Sequence, residues 1–150
     1  MAAATAPKAK KPKEKKEKTH VGHARGKRKE SIARATVRKG KGIVRVNSVN
    51  VKAFENRYLR EIIIEPVRLS GDLGNAVDVE VHVHGGGEMG QAQACRNAIA
   101  RALVEFSGDP SLKGTFSAHD RFMMLEDFRR VEPKKYKGPK ARARFQKSYR

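Results

Sequence analysis

Val77-Asp-Val-Glu-Val-His-Val-His84 is the stretch that decides the fold. Four valines alternate with Asp78, Glu80, His82 and His84, the period of two that puts successive side chains on opposite faces of a β-strand. One face of that strand is apolar and needs a cover. The residues that follow supply it: Gly85-Gly-Gly-Glu-Met-Gly90 leads into a stretch whose apolar Ala92, Cys95, Ile99, Ala102, Leu103 and Phe106 recur at spacings of three and four. That spacing predicts an amphipathic helix, with Gln93, Asn97 and Arg101 on another of its faces. Ser107-Gly-Asp-Pro110 stops the helix, and a weaker helical pattern covers residues 111–117.

Upstream, Ile32, Ala33, Ala35 and Val37 lead through Lys39-Gly-Lys-Gly42 to Ile43-Val-Arg-Val46, which reads as a β-hairpin closed on its two glycines, with a further turn at Asn47-Ser48. Phe54, Tyr58, Leu59 and Ile62 have helical spacing, although Ile62-Ile-Ile64 reads equally well as strand. Pro66 suits the first turn of another short helix ending at Gly71. The expected class is α+β: a small sheet with helices packed on one face and extended basic arms at both ends. Residues 22–130 form the globular body. Residues 1–21, rich in Lys and Pro with little to bury, form a disordered extension, and residues 131–150 an extended basic tail.

The net charge is +18, and its distribution says more than its sum. Residues 1–30 carry 11 basic and 3 acidic groups, residues 133–150 carry 8 and none, and residues 31–132 carry 15 and 13. The centre is close to neutral and the two ends are strongly cationic, the pattern of an ordinary body with arms for a polyanion. Cys95 is the only cysteine, so no internal disulfide exists and a reducing compartment, the cytoplasm, is expected. No stretch has the length and apolarity of a signal-peptide core or a membrane span.

Each motif has a plainer reading. Gly85-x-Gly87-x-x-Gly90 after a strand resembles a dinucleotide loop, but the acid twenty residues on, Glu105, lies on the same helix instead of on a second strand. Gln91 and Ala92 stand where a nucleotide-hydrolase loop needs Lys and Ser or Thr. What remains for Gly85, Gly86 and Gly87 is a tight turn or contact between backbone amides and an RNA phosphate. His82 and His84 share a face without a third ligand, so surface or RNA-facing histidines are expected there and no metal. Cys95 lies on the apolar stripe, as a structural thiol does. Arg25-Gly-Lys-Arg-Lys29, running into Ser31 and Arg34, offers cations on a backbone that its glycine leaves free to follow a phosphate chain. In the tail, Tyr136, Phe145 and Tyr149 alternate with cations, placing rings for unpaired bases beside charges for phosphates, and Gly138-Pro139 keeps the chain extended. An architectural DNA-binding protein fits two cationic arms almost as well, and a nucleotide-using enzyme is a distant third.

Several separated motifs together resemble the universal ninth protein of the small ribosomal subunit in its archaeal form: Gly26-Lys-Arg-Lys-Glu-Ser-Ile-Ala-Arg34, Gly40-Lys-Gly-Ile-Val-Arg-Val-Asn47, Gly85-Gly-Gly-Glu-Met-Gly-Gln-Ala92 with Ile99-Ala-Arg-Ala-Leu103, Asp120-Arg121, Arg129-Arg130, Glu132-Pro-Lys-Lys135 and Ala141-Arg-Ala-Arg-Phe-Gln-Lys-Ser-Tyr-Arg150. The likeness runs from about residue 22 to the last. It departs at His119, Phe122 and Tyr136. It implies a mixed sheet backed by helices, a place in the head of the small subunit among neighbouring head proteins, and no catalysis, cofactor, small-molecule substrate or membrane. It also implies ribosomal RNA contacts at Arg25, Lys27, Arg28, Lys29, Arg34, Arg142 and Arg144. The last four residues, Lys147, Ser148, Tyr149 and Arg150, are implied to approach transfer RNA in the peptidyl site.

Overall fold

A computed structural model describes residues 20–146. The expected extension over 1–21 lies outside it except for its last two residues, and so do Lys147, Ser148, Tyr149 and Arg150. The described chain is α+β, with a five-stranded mixed sheet in the order β1-β2-β5-β3-β4. Its strands are β1 (Val21–Arg28), β2 (Ser31–Lys39), β3 (Val44–Val46), β4 (Val49–Asn50) and β5 (Val77–His84). The helices are α1 (Arg57–Leu69), α2 (Asp72–Asn75), α3 (Glu88–Ser107), α4 (Pro110–His119) and α5 (Arg121–Met124).

The alternating stretch is the central strand, with Val77, Val79, Val81 and Val83 all buried. It runs antiparallel to β2 and parallel to β3. The expected hairpin between β2 and β3 is therefore corrected: those strands are not neighbours, because β5 enters between them and pairs with both. Gly40 and Gly42 still serve the turn. Gly42 takes a φ of +81°, and a Cβ on Gly40 would stand 2.1 Å from the Asp78 carboxyl carbon. Asp78 Oδ1 accepts from the amides of Lys41 (2.8 Å) and Ile43 (3.0 Å), so the late strand itself ties down the loop that spans it. Those amides, Ile43 first, hold the Asp78 carboxyl below its ordinary range. Asn47, with φ +47°, exchanges two side-chain hydrogen bonds with the Val83 backbone. With Ser48 (φ +71°) it forms the two-residue turn between β3 and β4.

β2 instead makes its hairpin with β1, through Lys29 and Glu30. Residues 21–28, whose basic stretch reads as a flexible backbone for a phosphate chain, are an edge strand of the body. Gly26 supplies closeness and not freedom: a Cβ there would stand 2.3 Å from the Ala94 carbonyl oxygen, and one on Gly22 2.5 Å from that of Ala102. Those glycines and the small residues Ala94, Ala98 and Ala102 let α3 lie directly on the sheet, where Cys95, Ile99 and Leu103 are fully buried. Gly108, with φ +70°, ends α3.

The β3–β5 pair is parallel and needs a crossover, which α1 provides. Asn56 caps it, its side chain accepting from the Tyr58 amide at 3.0 Å. The reading of Pro66 as a helix start is also corrected: a single helix runs through Ile62, Ile63 and Ile64, and Pro66 lies buried inside it. A mid-helix proline forgoes one backbone bond, and here its ring fills the core.

Candidate nucleic-acid interface

The sequence-predicted residues fall into three places. On the sheet face away from the helices, alternation exposes His23 and Arg25 with half-buried Lys27 on β1, Arg34 and Arg38 on β2, Arg45 on β3, and His82 and His84 on β5. Register sets Arg25 beside Arg34 and Arg34 beside His82, and one row on, Lys27 beside Ile32 and Ile32 beside His84. Arg25, Lys27 and Arg34 are thus gathered as the sequence suggested. Arg38, Arg45 and His23 were missed there, although the alternation of Arg34, Thr36 and Arg38 with Ala33, Ala35 and Val37 carried the signal.

The second place lies where the glycine loop meets the β1–β2 turn, around a pocket lined by Arg28, Lys29, Ser31, Gly86, Gly87 and Gln93 among others. Ser31 is buried, and its hydroxyl donates to the Gly85 carbonyl at 3.0 Å; it supports the loop from beneath. Gly85 and Gly86 have φ of +78° and +65°, and a Cβ on Gly86 would stand 2.2 Å from Ser31 Oγ. Turn geometry and close packing therefore account for both. Gly87 differs, for a Cβ there meets nothing within 4 Å. It is the N-cap of α3 and offers no side chain to the first amides of that helix, and Lys29 lines the same pocket.

The third place is the root of the tail, where two adjacent acids tie it to the strand edge. Glu126 accepts from Arg25 Nε (3.1 Å) and Nη2 (3.0 Å) and from Arg101 Nη1 (2.9 Å). Hydrogen bonding from Arg25, with Arg101 adding to it, holds the Glu126 carboxyl below its usual range and raises Arg25 in return. Asp127 is buried, pairs with Arg28, and accepts from Arg129 Nη2 at 2.8 Å. Its amide donates to the Lys27 carbonyl at 3.3 Å, extending the sheet edge by one isolated bridge. Asn97, placed by pattern on a polar face, is buried instead: its Nδ2 donates to the carbonyls of Phe122 (2.9 Å), Met123 (3.1 Å) and Leu125 (2.9 Å). Arg96 joins Glu65 of α1 to Asp120 at the start of α5, at 2.6 Å each. Nothing in the sequence marked Asn97, Glu126 or Asp127.

Two departures from the family pattern have visible partners. His119 Nδ1 lies 3.6 Å from Glu65, and the Arg129 guanidinium sits 5.7 Å from the centre of the exposed Phe122 ring. Among the described residues beyond Val131 the tail has neither helix nor strand, but the expected extension at Gly138-Pro139 is corrected to a turn. Lys137 has φ +58°, Gly138 is buried so closely that a Cβ would stand 2.3 Å from the Ala143 carbonyl oxygen, and Arg144 Nη1 reaches the Tyr136 carbonyl at 3.4 Å. Glu132 pairs with Lys135 at 2.9 Å and accepts from Arg142 at 2.9 Å, which together lower its carboxyl pKa. Arg142 and Arg144 are thus held by the tail's own turn, apart from the body's two clusters, while Phe128, Tyr136 and Phe145 stand exposed.

Among the described residues the sheet has one face uncovered by helices that carries most of the strand arginines, with a glycine loop beside a basic turn and a tail rooted by ion pairs. The family model described as ribosomal protein S9/S16 matches residues 26–150, and the chain belongs to that family, whose members are structural proteins and not enzymes. It is 50% identical over 131 residues to the small ribosomal subunit protein uS9 of Halobacterium salinarum, covering 87% of this chain and 99% of that one. It is 46% identical over 125 residues to the uS9 of Picrophilus torridus (83% and 94% covered). With the uS9 of Desulfurococcus amylolyticus it shares 50% identity over 125 residues (83% and 89%). Family membership retires the DNA-binding and enzyme alternatives.

Proposed function

We propose that the chain is a structural constituent of the small ribosomal subunit in the cytoplasm, seated in the head among neighbouring head proteins, where it binds ribosomal RNA and sends its tail to transfer RNA in the peptidyl site. The observation that carries this reading is that the family match continues to Arg150, through a tail with no acidic residue after Glu132. Arg25, Lys27 and Arg34 meet RNA from the sheet face. Arg28, Lys29 and the loop Gly85, Gly86 and Gly87, propped by Ser31, meet it at the pocket beside α3. Arg142 and Arg144 do so along the tail, and Lys147, Ser148, Tyr149 and Arg150 touch the transfer RNA.

The pairing with Glu126 and Asp127 gives Arg25 and Arg28 two roles, since each neutralises an acid at the tail's root while presenting its remaining donors outward. Tail and body are thereby aimed together. The test is removal of residues 147–150. Subunits carrying the shortened chain assemble normally but hold transfer RNA in the peptidyl site less tightly. Undiminished retention of transfer RNA contradicts the role given to the tip.

A further inference from the structure

The helices pack on one face of the sheet, and among the described residues the other face is left open. Its charges are not uniform, and register shows where they cancel. Arg38 is the register partner of Asp78, so that row contains one cation and one acid. The next contains His23, Thr36, Glu80 and Arg45 side by side, one acid against one arginine. The third and fourth rows, Arg25–Arg34–His82 and Lys27–Ile32–His84, contain no acid of their own. Glu126 reaches into them only at the β1 edge, through Arg25. His82 Nε2 lies 3.7 Å from Glu80 Oε1 in the neighbouring row. Arg34 and His84 have no such partner among the described residues, and both are exposed.

This unbalanced half of the face adjoins Gly85 and the β1–β2 turn, so it is continuous with the loop pocket. Its chemistry is limited to cations, imidazoles and one isoleucine. None of the five strands contains Phe or Tyr, whereas Phe128, Tyr136 and Phe145 all stand exposed in the tail. An open surface with cationic and imidazole donors and no Phe or Tyr suits the sugar-phosphate backbone of a helix, which is recognised by shape and charge. Unpaired bases call for stacking surfaces.

We propose that the open face around Arg34, His82 and His84 docks the backbone of a base-paired RNA helix, leaving unpaired RNA to the tail. Each imidazole donates an N–H to a phosphate oxygen or 2′-hydroxyl, and Arg34 places its fork beside His82 in the same row. The proposal rests on the RNA-binding reading above and divides it between two surfaces.

The test compares full-length chains, wild type and three variants, for binding to a base-paired RNA helix and to an unpaired oligonucleotide across a salt series. Arg34→Ala and the pair His82→Ala/His84→Ala each weaken helix binding about tenfold, the effect of one hydrogen bond to a charged group. Arg34→Ala also lowers the salt slope by about one. Lys113→Ala, which removes an exposed cation of α4 in the helix layer on the other side of the sheet, leaves helix binding nearly unchanged, and all three bind the unpaired strand like wild type. Unfolding midpoints close to wild type confirm that the variants fold. Helix binding unaffected by Arg34→Ala and by the histidine pair, with wild type binding normally, overturns the proposal. Variants that bind both RNAs normally but fail to join their protein neighbours also overturn it, by giving the face to a protein. If wild type binds neither RNA, the RNA-binding reading itself falls.

Discussion

Gly26 shows how a residue's apparent purpose changes once its neighbours are known. Between Arg25 and Lys27 it reads as slack in a basic segment, yet it is the point where α3 comes closest to β1. Gly26→Ala forces its methyl into the Ala94 carbonyl and is expected to destabilise the fold by about 1–3 kcal/mol, measured by denaturant unfolding. A variant as stable as wild type would remove the close-packing account. Cys95 was legible because burial of a thiol follows from an apolar stripe. Burial pushes it up to about 12, so a thiol-specific reagent at neutral pH should label the unfolded chain promptly and the native one hardly at all. Asn97 was not legible, since a lone polar residue on a helix gives no sign of the three carbonyls it serves. Asn97→Ala leaves those carbonyls without their buried donor and should cost about 1–3 kcal/mol. The loss should appear as earlier unfolding, with protease access to the segment after α4.

At the level of elements, periodicity identified β5 and α3 because each carries its burial pattern in consecutive residues. It failed on pairing. β2, the glycine turn and β3 contain every local sign of a hairpin, and nothing within them states that a strand much later in the chain will enter the gap. Asp78 was the available clue, since an acid on a strand can hold two amides of a glycine loop. Pro66 misled for a similar reason: its cost as a helix interior is local, while its compensation, burial in the core, is tertiary. The acidic root of the tail has a pH signature. The folded-state pKa of Glu126 lies below its unfolded value, so its contribution is fully present above the ordinary glutamate value of about 4.3 and is lost as pH falls through the folded pKa. Asp78 acts in the same direction. Stability should therefore decline from about pH 4 downward, and Glu126→Gln should lower stability at neutral pH while flattening that decline. An unchanged acid profile in the variant would show that the tail's root contributes no stability.

Across the whole molecule, the partition of charge was the most legible feature and the one that maps least simply onto structure. The near-neutral middle of the sequence holds Arg34, Arg38 and Arg45, which the sheet sorts onto one face together with Asp78 and Glu80, while Asp120, Glu126 and Asp127 lie at a helix junction and the tail's root. A sequence sum near zero thus conceals a polarised body. The basic stretch before residue 30, counted with an arm, is in part edge strand, so β1 itself carries its cations on the body's surface. The tail's self-made turn at Gly138 shows that its cations are arranged before any partner arrives, at least through Phe145. The measurement that tests this account most directly is the affinity of the full-length chain for small-subunit ribosomal RNA as a function of salt. The account predicts that the logarithm of the association constant falls linearly with the logarithm of salt concentration, by roughly 0.7 to 0.9 per phosphate neutralised, with a slope that corresponds to several contacts and is reduced when the tail is shortened. Binding that does not change with salt would contradict it.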